Sequence, residues 1–297
     1  MTMKVLFATD GLPAADEAAD LLKRVGDPQR IDVTVVSVTH SGVPVLKHVP
    51  MMLDPIEQRR RDTVAIVDAA VEDLKVAGFT AVGRTAEGQP GHAIVNLVES
   101  DWFDLTIVGG GGRTWLGNRL LGSISTYVLH ESPSSVLVVH ETAPARDRSK
   151  ILLGTDGSRG SDLAIQWLGA FADPSRCDVT VISAVPPLPA PVAVGPGVAV
   201  PVVDPETMTE QETRLMDRAR RLADSAATQL RDAGFEVTSR AVYGHPLEQL
   251  LKEGGEHDMI AVGARGLGAF RRALLGSVSD QVARHARAAF IARRATS

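Results

Sequence analysis

Cysteine is almost absent from this chain of 297 residues, since Cys177 stands alone. No internal disulfide, thiolate metal site or redox pair can be built from it, and a reducing, cytoplasmic setting is the economical expectation. An excess of positive charge is also missing. With 31 Lys and Arg against 36 Asp and Glu the formal net charge is −5, whereas a general nucleic-acid binder carries a basic footprint. Spanning apolar runs are lacking too. The uncharged stretch "VPPLPAPVAVGPGVAVPVV", Val185 to Val203, holds six prolines and two glycines, which preclude a regular membrane helix and mark a loop. The start, "MTMKVLFATDG", has an apolar run too short for a signal peptide and reads as a first strand. Neither nucleic acid nor membrane is therefore an expected partner.

Several catalytic and nucleotide signatures are missing as well. The eight histidines fall in no H-E-x-x-H or similar ligand spacing, so no metal held by the protein itself is expected. There is no G-x-S-x-G elbow, and Cys177 lies at the start of a predicted strand, so nothing supports nucleophilic catalysis. Neither G-x-x-x-x-G-K-[ST] nor G-x-G-x-x-G occurs, which removes the P-loop and dinucleotide readings.

What is present is a duplication. "VGGGGRTWLGNRLLGSIST" puts glycines at 109, 112 and 122 followed by Ser123, and "VGARGLGAFRRALLGSVSD" puts them at 263, 266 and 276 followed by Ser277, the same frame displaced by 154 positions. The order of elements repeats with it. "KVLFAT", "DVTVVSV", "DLTIVG" and "SSVLVV" read as strands of the first half, with helices at "PAADEAADLLKRVG" and "DPIEQRRRDTVAIVDAAVEDLKVAG" and a third strand near Phe79 to Thr85. "KILLGTDG", "CDVTVISAV", "DMIAVGARG" and "AAFIAR" are their counterparts. Alternating strands and helices imply βαβ crossovers and a mostly parallel sheet covered on both faces. Residues 1–141 form one predicted domain, 142–148 a polar linker, and 149–297 the second domain.

In an open α/β sheet, ligands bind beyond the carboxyl ends of the strands, where loops enter helices. The glycine frame sits there. Glycine lets the backbone approach a ligand closely, and the N–H groups at a helix start favour an anion such as phosphate. The nine residues between the second and third glycines read as a flap that returns Gly276, Ser277 and Ser279 to the same anion. The bland alternative is that the glycines only make turns, with Ser123 and Ser277 as helix N-caps. Asp10 in "ATDG" and Asp156 in "GTDGS" lie at the same sheet edge. Each could bond a sugar hydroxyl or adenine amine, or simply close an Asx turn.

Asp after the first strand, "GQP" or "GHP" after the third, and G-x-x-G, nine residues, G-S together resemble the universal stress protein family, as a tandem pair over nearly the whole chain. The resemblance implies two Rossmann-like α/β repeats, each a five-stranded mostly parallel sheet with helices on both faces, similar to the adenine nucleotide alpha hydrolases. The intact glycine motif is that of the ATP-binding branch. It implies phosphate and ribose contacts from Gly109, Gly112, Gly122, Ser123 and Ser125, and from Gly263, Gly266, Gly276, Ser277 and Ser279. Adenine contacts are implied for Asp10 with the backbone near Val38, and for Asp156 with that near Ala184. The implied ligand is ATP, with Mg2+ held by the phosphates. The implied role is a nucleotide-dependent regulatory or stress-response module rather than an enzyme, with an unidentified protein partner; the alternatives are a nucleotide-independent interaction protein of the same fold and a very slow ATPase. Family members often pair through their last strand, typically Pro followed by a Val-Leu-Val run. "SPSSVLVV" fits that pattern and "HARAAFIARR" departs from it, which argues against pairing through the second repeat's final strand; repeat-to-repeat pairing within the chain or a homodimer is the expected association.

Overall fold

The computed structural model describes residues 2–40, 55–111, 121–188, 205–265 and 275–293. The first repeat runs β1 (Met3–Ala8), α1 (Pro13–Val25), β2 (Ile31–His40), α2 (Pro55–Val76), β3 (Thr80–Gly88), α3 (Pro90–Asp101), β4 (Leu105–Gly109), α4 (Ser123–Glu131) and β5 (Ser135–Val139). The second follows with β6 (Ser149–Gly154), α5 (Arg159–Phe171), β7 (Cys177–Val185), α6 (Pro205–Asp232), β8 (Glu236–Tyr243), α7 (Pro246–Gly254), β9 (Met259–Gly263), α8 (Ser277–His285) and β10 (Ala288–Ala292). The short helices after β3 and β8 open on Pro90 and Pro246 at their first positions, where a missing N–H costs nothing and φ is already helical. The two prolines follow Gly88 and Gly244, whose φ values of 125° and 133° need glycine.

All ten strands belong to one sheet, in the order β3-β2-β1-β4-β5-β10-β9-β6-β7-β8. Every neighbouring pair is parallel except β5 and β10, which are antiparallel. Within each repeat the chain order reverses beside the first strand, between β1 and β4 and between β6 and β9. These are the switch points where a crevice opens above the strand ends.

The seam corrects one expectation. β10 does pair, with Ala289 opposite Val138 and Phe290 opposite Leu137, although its sequence lacks the Val-Leu-Val pattern. Strand pairing uses backbone groups, and its Ala288, Ala289 and Ala292 are small enough to be wholly covered along with Phe290 and Ile291. The junction is also tied below the sheet: Asp27 N donates to Phe171 O at 2.9 Å and Asp173 N to Val25 O at 2.8 Å. Phe171 and Phe290 rings lie 5.7 Å apart in a core that takes residues from both repeats.

Because the core is shared, the two repeats should unfold together. Cys177 offers an internal reporter: burial pushes its thiol up to about 12, so it reacts only when β7 opens. We expect one urea transition, with coincident midpoints from far-ultraviolet dichroism and from pulsed labelling of Cys177. A first-repeat transition separated from thiol exposure would show that the repeats are energetically independent.

Candidate functional site

At the ends of β1 and β6 the backbone turns sharply into the first helix of each repeat. Asp10 Oδ1 accepts from Leu12 N at 3.1 Å and Thr9 Oγ1 from Gly11 N at 3.1 Å. Asp156 Oδ1 accepts from Ser158 N at 3.0 Å in the matching turn. Gly11 and Gly157 both take φ of 72°, a left-handed conformation in which a side chain is strained. Each aspartate thus closes an Asx turn with one oxygen while standing at the rim of the crevice. The helices start differently: Ser158 caps α5 by accepting from Ser161 N at 3.3 Å, whereas α1 begins Leu12-Pro13 with no side-chain cap.

The glycine frame is rooted by backbone hydrogen bonds. Gly122 N donates to Gly110 O at 2.7 Å, and Gly276 N to Ala264 O at 2.8 Å, so the chain leaves and re-enters beside the same strand end. Gly112, Gly266 and most of each intervening flap lie outside the described residues. The N-caps of α4 and α8 are Gly122 and Gly276, neither giving a side-chain cap bond; Ser123 and Ser277 are the first helical residues, not the caps. A glycine cap leaves no side chain competing for the first-turn N–H groups, which suits an anion at both helix starts. Ser123 and Ser277 are exposed, but Ser125 and Ser279 are buried. Ser125 Oγ donates to Gly109 O at 2.5 Å, and Ser279 Oγ lies 2.8 Å from Ala264 O. These two hydroxyls hold the helix start against the strand end.

Gly109 and Gly263 have a packing role of their own. A Cβ on Gly109 would stand 2.8 Å from the backbone C and O of Ala14, and one on Gly263 would overlap the backbone of Gly160. The strand end and the first helix touch there, and only glycine permits it.

In the first repeat these parts enclose a cavity of about 750 Å³, lined by Asp10, Val38, Gly109, Gly122, Ser123 and Ser125 among others. All the described first-repeat residues expected to hold ligand therefore meet in one place, within the size range of small-molecule and cofactor sites. Glu17, His140, Glu141 and Thr142 also line it, and sequence reading missed them. Thr142 donates to Glu17 Oε2 through its backbone N–H, at 2.6 Å, and through its hydroxyl. The partners lie 125 positions apart, so no local pattern marks them. In the second repeat Asp156, Ala184, Gly263, Gly276, Ser277 and Ser279 occupy the matching strand and helix ends. There the loop lies lower over the first helix: Arg265 O accepts from Ser158 Oγ at 3.3 Å, and a Cβ on Gly160 would overlap that carbonyl.

Among the described residues no helix is long and apolar enough to cross a membrane, and no group of three His, Cys, Asp or Glu could hold a metal ion. A duplicated, mostly parallel α/β sheet with a glycine-capped helix start beside each switch point defines a tandem α/β protein of two like repeats. Residues 1–140 and 148–291 each match the universal stress protein family, and the chain belongs to that family. It is similar to a universal stress protein of Mycobacterium tuberculosis, at 29% identity over 99% of this chain and 97% of that one. A universal stress protein of Mycolicibacterium smegmatis is 28% identical over 95% and 94%. Among solved structures, a universal stress protein from Archaeoglobus fulgidus superposes with a TM-score of 0.62 over 98% of both chains at 18% identity, a likeness of fold.

Proposed function

We propose that this universal stress protein binds ATP, one molecule per repeat, and acts as a nucleotide-dependent regulatory module in a stress response. The observation that carries the reading is the start of α4, with no side-chain cap, facing a cavity of about 750 Å³; the glycine cap without a side-chain bond recurs at α8. The phosphates rest on the first-turn N–H groups that follow the glycine caps, from Ser123 and from Ser277 onward, and Mg2+ is held by the phosphates. Asp10 and Asp156, each with one oxygen committed to a turn, serve the nucleoside end, with the backbone at Val38 and Ala184 beside the base. Hydrolysis is not part of the proposal, because the reading assigns those two carboxylates to the sugar or base rather than to the activation of water. The protein works in the cytoplasm through a partner of unknown identity.

One observation favours a second reading, a nucleotide-independent interaction protein: Gly109 and Gly263 have sufficient reason to be glycine in helix packing alone. Thermal unfolding separates the two. At an ATP concentration near 100 times Kd, one site adds roughly 2.7 kcal/mol. At about 2 °C per kcal/mol for a unit of this size, the midpoint should rise by about 5 °C. No rise at millimolar ATP with magnesium, together with no heat of binding, would establish the second reading.

A further inference from the structure

Each helix that faces a crevice ends against the other repeat. In the last turn of α8 the Ala283 carbonyl accepts from Nε2 of His140, 2.9 Å away; His140 directly follows β5 of the first repeat. In the last turn of α4 the Leu129 carbonyl accepts from the guanidinium of Arg293, which directly follows β10 and also donates to Ser132 O at 2.7 Å. Leu129 and Ala283 each lie seven residues beyond the glycine cap of their helix, so the two contacts are counterparts across the seam. Both capping side chains are withdrawn from water. His140 is 8% exposed, and burial, with Arg265 nearby, pushes the Arg293 guanidinium down to about 10.

The same two residues also face the strand-end loop of their own repeat. His140 lines the first cavity, and its ring lies so close to Gly110 that an added Cβ would overlap Nδ1. Gly110 anchors the root of the glycine loop: its N–H donates to Val139 O at 2.6 Å and its carbonyl accepts from Gly122 N at 2.7 Å. Arg293 follows Ala292, whose carbonyl accepts from Ala264 N at 2.9 Å, directly before Arg265, the residue whose carbonyl meets Ser158 at the second crevice. Thus a side chain touching the first site holds the far end of the helix that opens the second, and the reverse route runs through Arg293 and α4.

We infer that His140 and Arg293 are positioning residues that couple the two crevices with positive sign. The inference rests on the ATP reading above. ATP in the first crevice fixes Gly110 and the imidazole packed on it; the imidazole then steadies the carbonyl end of α8, and with it the Gly276–Ser279 turn. The second ATP meets a turn whose ordering cost has already been met, and coupling by shared ordering is reciprocal.

The test is amide exchange on Gly276→Asp protein, in which only the first site takes ATP. We expect ATP to slow exchange over Val282 to Arg287 about fivefold. On the same background, with each protein compared at ATP concentrations that saturate its own first site, His140→Leu should abolish that response, and His140→Gln, whose amide N–H can reach the Ala283 carbonyl, should restore it. In otherwise wild-type protein the second ATP should bind about fivefold more tightly than the single-site constants imply, a coupling of ordinary size. ATP uptake with unchanged exchange in α8, or an undiminished response in the His140→Leu protein, overturns the coupling alone. No ATP uptake by any form overturns the nucleotide reading and the coupling together.

Discussion

Replacing Gly122 by Asp should weaken ATP binding at the first site roughly 100-fold while leaving the ligand-free fold intact. Gly122 has φ −63° and ψ 159°, an extended conformation that any residue adopts. The atoms nearest a new Cβ are Gly110 O and Gly111 Cα at 3.8 Å and Ser125 Oγ at 3.9 Å, ordinary contact distances. Asp is moreover a preferred N-cap, so the helix itself gains slightly. The ligand does not. The carboxylate takes the first-turn N–H that a phosphate would use and repels the phosphate besides; at about 6 Å and an effective dielectric near 20, one unit charge costs about 3 kcal/mol, or roughly two decades of affinity. Calorimetry should show stoichiometry falling from two ATP to one per chain, with an unchanged melting midpoint without ligand. Two tight sites surviving in the variant would place the phosphates elsewhere. Gly109→Ala is no substitute for this test, because its Cβ would press on the Ala14 backbone and any loss of binding could follow from a displaced α1. The complementary Gly276→Asp protein retains the crevice rimmed by Asp10, Glu17 and Glu141, and that acidic rim should make the first site the weaker for an anion.

The contrast between those glycines shows where sequence reading succeeds. The duplicated frame located both helix starts, because apolar strand runs and a shift of 154 positions are properties of the chain itself. It could not tell a glycine required by ligand approach from one required by packing, since both look alike without the helix that crosses Gly109 or Gly263. Nor could it place the serines: the caps proved to be the glycines, Ser123 and Ser277 open the helices, and Ser125 and Ser279 fasten them to the strand ends. The seam was misjudged for a related reason. Val-Leu-Val content measures how well a strand fills a sheet face, whereas β10 pairs through its backbone and fits by being small. The hydrogen bonds of His140 to α8, of Thr142 to Glu17 and of Arg293 to α4 span 125 positions or more, and nothing local to their sequence foretells them.

The buried cross-repeat ion pair carries the other large effect. Asp104 and Asp258 stand at matching strand starts, and each accepts a backbone N–H from the neighbouring strand, Lys4 N at 2.9 Å and Lys150 N at 2.8 Å. Their surroundings differ. Asp104 is partly open to water, whereas the Asp258 side chain is 0% exposed and is met at 2.5 Å by Arg24 of the first repeat. Arg24 also donates to Ala143 O at 2.7 Å, so one guanidinium ties α1, the chain between the repeats and the start of β9. Arg24→Met leaves a buried carboxylate with one backbone donor in place of a full shell. Removing one partner of such a pair costs about 3 kcal/mol or more, while replacing both partners is often nearly neutral. We therefore expect Arg24→Met to lower unfolding free energy by about 3 kcal/mol, and Asp104→Asn, where water already solvates the charge, to lower it by less than about 1 kcal/mol. Adding Asp258→Asn to Arg24→Met should recover most of the loss, because the amide oxygen still accepts from Lys150 N and no charge is left unmatched. Urea unfolding of the four proteins measures each value. An Arg24→Met protein within about 0.5 kcal/mol of wild type, the size of an ordinary surface substitution, would mean that water reaches Asp258 and that the other cross-repeat contacts hold the repeats together without this pair.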